Sequence, residues 1–133
     1  MKEVESGEYK GFRWWIMQKV WSNGIIPGWF MAPIEWYLCY IEIDGTPEEI
    51  PDDATEYKHP LIEGIWCNFD EFEFLDVHGG VTFVVTDGKR TIVGWDYSHC
   101  DDWEQPSVDK LKEEIKKACE QLEKEGYHGV HLD

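Results

Sequence analysis

Four residues in the second half of the chain, His78, Asp96, His99 and Asp102, are of types that can do chemistry. Imidazoles and carboxylates together can hold a divalent metal, activate a water near neutral pH or pass protons at physiological pH. What joins them is the stretch between, where two apolar, β-branched runs flank Asp87-Gly88, the strongest short-range signal for a β-hairpin. A two-residue turn at Asp87-Gly88 sets His78 opposite Tyr97, and a four-residue loop from Asp87 to Arg90 sets it opposite His99. Either register gathers the polar strand ends. Because antiparallel partners share a face and side chains alternate, His78 falls on the face of Tyr97 and His99, while Asp96 points to the other. A bulge at Gly79-Gly80 would reverse that parity and bring His78 beside Asp96.

His78, Asp96, His99 and Asp102 are therefore the candidate catalytic residues. Around them, Gly79 and Gly80 could offer backbone amides to an anion. Trp95, Tyr97 and Trp103 could stack on a planar ligand, and His59 could reach the site if the long connection before the hairpin folds back over it. Otherwise His59 belongs to an exposed turn, which is the expectation for a lone His-Pro-Leu segment. A divalent metal is one option, and the residues single out no ligand set. The bland alternative is that these are polar strand ends, with most of Trp14, Trp15, Trp21, Trp36, Trp66 and Trp95 in the core.

The elements that must position these groups read as follows. Residues 1 to 11 are charged and Gly-containing and are expected to form a loose start. Phe12 to Trp21 and Trp36 to Ile43 are rich in aromatic and β-branched residues, as strands are. Residues 46 to 60, with three prolines among acidic residues, make a surface excursion too punctuated for a long helix. After the hairpin, Ser107 is placed to cap a helix whose apolar stripe is Val108, Leu111, Ile115, Ala118 or Cys119, and Leu122, with Gly126 as its stop. The class expected is α+β: a mostly antiparallel sheet with a central hairpin and one C-terminal amphipathic helix on one face, in a single domain over 1 to 133.

Composition limits the partners. With 28 acidic and 12 basic residues the chain carries a net charge of −16, which repels nucleic-acid backbones and anionic membranes, and no basic run overrides it. An acidic surface suits a basic protein instead, or imitates the charge of nucleic acid. Cys39, Cys67, Cys100 and Cys119 are widely spaced, with no C-x-x-C pair and no signal peptide, as for reduced thiols in a cytoplasm. The most apolar window, roughly 24 to 43, is broken by Pro27, Pro33 and Glu35 and cannot form a spanning helix. No phosphate loop, dinucleotide fingerprint or zinc-finger spacing occurs, and the H-G-G triplet lacks the G-x-S-x-G partner an α/β-hydrolase needs.

The motifs V-H-G-G-V-T-F at Val77 to Phe83 and G-W-D-Y-S-H-C-D-D-W from Gly94 to Trp103, preceded by His59-Pro60-Leu61 and followed by one helix, resemble those of a family of small, largely uncharacterised bacteriophage proteins. That family's hallmarks are V-H-G-G-L-T-Y and G-F-D-C-A-H with a G-D shortly after. The resemblance spans roughly residues 36 to 125 and leaves out the Trp-rich N-terminal part. This chain departs from it at Trp95, Tyr97, Ser98 and Asp101, the last standing where the family has Gly. The resemblance implies a phage or prophage origin and action in the host cytoplasm, with counter-defence as the setting. On it rests the expectation of a protein that captures, and could hydrolyse, a small polar ligand such as a host signalling nucleotide. The alternative is a non-catalytic acidic inhibitor of a basic host protein.

Overall fold

A computed structural model describes residues 1–20, 35–98 and 104–130. The fold is α+β: the described residues form one seven-stranded antiparallel sheet and one α-helix near the C-terminus. The strands are β1 (Lys2–Tyr9), β2 (Phe12–Val20), β3 (Glu35–Asp44), β4 (Glu56–Lys58), β5 (Glu63–Trp66), β6 (Phe83–Thr86) and β7 (Arg90–Asp96), in the spatial order β1-β2-β3-β7-β6-β5-β4. The last half of the hairpin, β7, is thus the middle strand of the sheet.

The charged start is not loose. It is the edge strand β1, paired with β2 from Lys2↔Gln18 to Tyr9↔Phe12 through a two-residue turn in which Lys10 and Gly11 both take positive φ, 53° and 87°. That is the turn geometry whose twist suits a hairpin. Charge on a strand argues against an edge position only if the edge is to be buried, and Lys and Glu are what discourage sheet edges from pairing with other chains.

The helix α1 (Val108–Lys124) follows its sequence signals. The Ser107 side chain accepts from the Lys110 amide. At the other end, Gly126 takes φ 92°, its N–H donates to Glu123 O, and that of Tyr127 donates to Leu122 O, the paired bonds of a glycine C-cap. Leu111, Ile115, Ala118, Cys119 and Leu122 are fully buried. They meet Phe12, Trp14 and Ile16 of β2, Cys39, Ile41 and Ile43 of β3, Val84, and Val93 and Trp95 of β7 in the main core. Among the described residues, no helix is long and apolar enough to cross a membrane.

Among the described residues, no helix covers the opposite face of the sheet. Met17, Tyr40, Phe83, Val85 and Ile92 form a second, smaller cluster there, covered by Ile62 and flanked by Trp15, Leu38, Leu61 and Trp66. The connection after β3 adds β4 and β5 to the far edge and lays residues 59 to 62 over this face. Two bonds close that loop, His59 N–H to Ile62 O and Ile62 N–H to His59 O. Glu42, also on this face and almost fully buried, is held by Arg13 through two 3.0 Å bonds and by Arg90.

Candidate functional site

In the hairpin, Thr86 pairs with Thr91, so the loop is the four-residue one, Asp87 to Arg90. The Asp87 carboxylate fixes it by accepting from the amides of Lys89 and Arg90, both at 2.9 Å. Pairing ends at Phe83↔Gly94, short of His78. Gly79 and Gly80 adopt φ 70° and 78°, and the Gly80 amide donates to Val77 O at 2.9 Å. This turn folds His78 back so that its ring lies flat on Tyr97, with centroids 4.3 Å apart and planes 10° apart.

The glycine turn, rather than strand alternation, sets the side His78 takes. His78 and Tyr97 lie on the helix side. Asp96 lies on the open side, where it accepts from Thr82 Oγ1 at 3.1 Å, Ser98 N at 3.1 Å and Ser98 Oγ at 2.7 Å. His78 and Asp96 are therefore not brought together. His99, Asp102 and Trp103 lie outside the described residues. Among the described residues no group of three or more His, Cys, Asp or Glu could hold a metal ion.

On the helix side, a cleft of about 520 Å³ is lined by Asp76, His78, Tyr97, Lys110, Glu114 and Lys117, among others. Its polar groups answer one another. Glu114 accepts from Trp95 Nε1 at 2.6 Å, from the Tyr97 hydroxyl and from the His78 amide at 3.1 Å. Burial, then the bond to Glu114 and its charge, push the Tyr97 phenol far above its ordinary range, so it stays a donor. This arrangement locks the glycine turn and β7 onto α1, and Trp95 and Tyr97 serve it as structural donors.

The open side is different in kind. A cleft of about 250 Å³ is lined by Trp36, Tyr40, Tyr57, His59, Trp66 and Phe83, with Thr82, Asp96, Ser98 and Lys19 supplying its polar rim. Lys19 Nζ stands 6.0 Å from the centre of the Trp36 ring. Gly94 lies in the sheet between two of the lining residues. It pairs with Tyr40 on one side and Phe83 on the other, and the two rings meet edge to face across it, with centroids 5.2 Å apart. A Cβ at Gly94 would lie 2.5 Å from Tyr40 Cδ1, so only glycine lets the rings close over the strand.

His59 is buried in this cluster, 7% exposed, rather than held at an exposed turn. Its ring packs at 4.8 Å on both Tyr40 and Phe83. The reason is the closed loop from His59 to Ile62, which turns the ring inward and supplies its partner: the Leu61 amide donates to Nδ1 at 3.1 Å. Burial pushes the imidazole down from 6.5 to about 4, so it is neutral at physiological pH. With Nδ1 accepting, the single ring proton sits on Nε2 and is donated to the Tyr40 oxygen at 3.2 Å.

A pH dependence follows. The unfolded chain takes up a proton at His59 near pH 6.5, the folded chain only near 4. The stability contributed by the neutral ring is thus complete above 6.5 and is lost as pH falls toward 4, up to about 3 kcal/mol. His59→Phe should remove that component. Urea midpoints at pH 7 and pH 4.5 should differ less for the variant than for the wild type, and equal differences would refute the assignment.

The three described thiols line neither cleft. Cys39, Cys67 and Cys119 are free and buried, and burial pushes each thiol up, Cys119 to about 12, far from the thiolate a nucleophile needs. Lys89 and Arg90 lie at the hairpin loop, where Arg90 is engaged by Glu42 and Asp87.

Of the sequence candidates, Asp96, His59 and Trp95 are among the residues lining the open-side cleft, and His78 and Tyr97 line the helix-side cleft. Tyr40, Tyr57, Trp66, Phe83 and Gly94 escaped sequence reading as site residues. One signal was present: a lone glycine inside an otherwise apolar strand, I-V-G-W, marks a close approach. No family model, curated protein or solved structure matches the chain.

Proposed function

We propose that this protein is a small-molecule capture protein whose open-side cleft takes a planar, polar ligand of the nucleobase or nucleoside kind. The observation that carries this reading is the lining, six aromatic rings with one carboxylate at the rim, around a volume of about 250 Å³. Ring faces bind planar heterocycles by stacking, worth roughly 1 to 3 kcal/mol per base, without demanding one sequence of atoms. The volume suits one base, or a base with part of its sugar, and is below the range of roughly 300 to 1,000 Å³ common for drug-sized ligands. Asp96, held by Ser98 and Thr82, is a fixed acceptor rather than a mobile base, which favours capture over turnover.

In a phage protein, withdrawing such a compound from the host would serve counter-defence, the setting implied by the V-H-G-G and G-W-D motifs. Trp36 and Trp66 line the cleft, so binding should quench tryptophan fluorescence. Titration with the four common ribonucleosides should give saturable quenching by at least one of them, and the ligand should be recovered intact on denaturation. Unchanged fluorescence with all four at millimolar concentration would sink the reading.

A second reading has its own support. Glu48, Glu49, Asp52, Asp53 and Glu56 are exposed around Ile50, itself 40% exposed, which is a surface suited to a basic protein. Reversing Asp52, Asp53 and Glu56 to Lys should leave ligand quenching intact. Loss of biological activity in that variant alone would favour this surface over the cleft.

A further inference from the structure

We infer that Tyr40 is the specificity-determining donor of the open-side cleft and that the ligand it selects is neutral, a base or nucleoside rather than its phosphorylated form. The inference rests on the capture reading above and refines it. Tyr40 is only 3% exposed, yet it is one of the residues that line the cleft. The direction of its bond to His59 is fixed by chemistry. Since the Leu61 amide occupies His59 Nδ1, a proton donated by Tyr40 to Nε2 would require a ring with no proton at all, which does not occur near neutral pH. Nε2–H is the donor and the Tyr40 oxygen the acceptor. The phenolic proton then has no acceptor among the described residues. Burial, followed by the neighbouring Tyr57 and Asp96, pushes the phenol well above its ordinary value, so the proton is retained.

The cleft has room for water, so in the free protein solvent takes the phenolic proton, and a ligand acceptor held between the rings replaces that water with a fixed bond. The acceptor must reach Tyr40 between aromatic faces, as a ring nitrogen or a carbonyl oxygen of a flat heterocycle does. An anionic oxygen would meet the wrong field. Leu38 pairs with Asp96 and Tyr40 with Gly94, so the Asp96 carboxylate is the diagonal neighbour of Tyr40 on the same face. In such diagonal pairs the Cα atoms lie about 7 to 8 Å apart. Locally Lys19 and Met1 stand with Asp96 around the cleft, but the whole chain carries −16, and at low salt that long-range field opposes a phosphate.

Calorimetric titration of the intact chain with adenosine, guanosine, cytidine and uridine, and with their 5′-monophosphates, tests this at low and at moderate salt. The expected result is that the nucleoside that binds loses about tenfold or more in affinity as its monophosphate at low salt, a gap that narrows as salt is added. Tyr40→Phe should weaken the same nucleoside by about tenfold, the worth of one buried hydrogen bond, with melting curves read alongside because the change also strips the acceptor from His59. The phosphate comparison uses the unmutated chain and decides even where Tyr40→Phe is unstable. Monophosphates that bind as well as or better than nucleosides, or a folded Tyr40→Phe with unchanged affinity, would overturn the inference while leaving heterocycle capture standing. Failure of every nucleoside and nucleotide to bind would remove both.

Discussion

Replacing Glu114 with alanine is expected to lower the unfolding free energy by about 3 to 5 kcal/mol, since each buried donor left without an acceptor costs about 1 to 3 kcal/mol. Three donors depend on this one carboxylate: Trp95 Nε1, the Tyr97 hydroxyl and the His78 amide. Trp95 is 1% exposed, and its indole N–H is satisfied by this carboxylate. Because Glu114 ties the glycine turn and the middle strand to α1, its loss should also loosen the stacked His78 and Tyr97 rings. Glu114→Gln retains one acceptor oxygen and should cost about half as much. Urea denaturation checks both through the midpoint, with the slope unchanged. A loss below about 1 kcal/mol for alanine would mean that the three bonds contribute little.

The second large effect is at Gly94. A methyl group there would stand 2.5 Å from Tyr40 Cδ1 and 2.8 Å from Cys39 O. The backbone oxygen cannot retreat without opening the β3–β7 ladder, so the Tyr40 ring must move, and Phe83 with it. Overpacking of this kind costs about 1 to 3 kcal/mol. The functional loss should exceed the loss of stability: Gly94→Ala is expected to abolish saturable quenching by any nucleoside that the unmutated chain binds. Gly88→Ala provides the control. Gly88 also has a special backbone, φ 93°, but open space around it, so alanine there is strained without touching the cleft. It should lose stability and retain binding.

How much of this could be read in the chain depends on whether the determinant is local. The helix was legible down to its caps, because Ser107, Asp109, the apolar stripe and Gly126 act within a few residues of one another. So was the hairpin, since Asp87-Gly88 and the flanking runs define it alone. The charged first strand was not, because its charge fits an edge, and edge position depends on the whole sheet. The expected cluster of His78 with the end of β7 was half legible. Alternation correctly sets Asp96 on the face away from Tyr97, but only the structure reveals that the ladder stops at Phe83 and that the paired glycines turn His78 onto Tyr97.

The aromatic cleft was hidden for a different reason. Tyr40, Phe83, Tyr57 and Trp66 come from four strands, and that β3 neighbours β7 while β5 neighbours β6 is a property of sheet order. Sequence attention to glycine fell on the Gly79-Gly80 pair, which shapes the turn carrying His78. The glycine that lets the Tyr40 and Phe83 rings meet is Gly94, standing singly within β7.

On the capture proposal, a planar ligand enters the open side of the sheet between Tyr40, Phe83 and Asp96. Amide chemical-shift mapping on ¹⁵N-labelled protein, titrated with the tightest-binding nucleoside of the four or, failing any, with each at millimolar concentration, would locate it. The amides of Leu38, Tyr40, Phe83, Gly94 and Asp96 should shift together and saturate with one affinity. Absence of shifts, or shifts confined to Asp76, His78, Lys110 and Glu114 on the helix side, would contradict it.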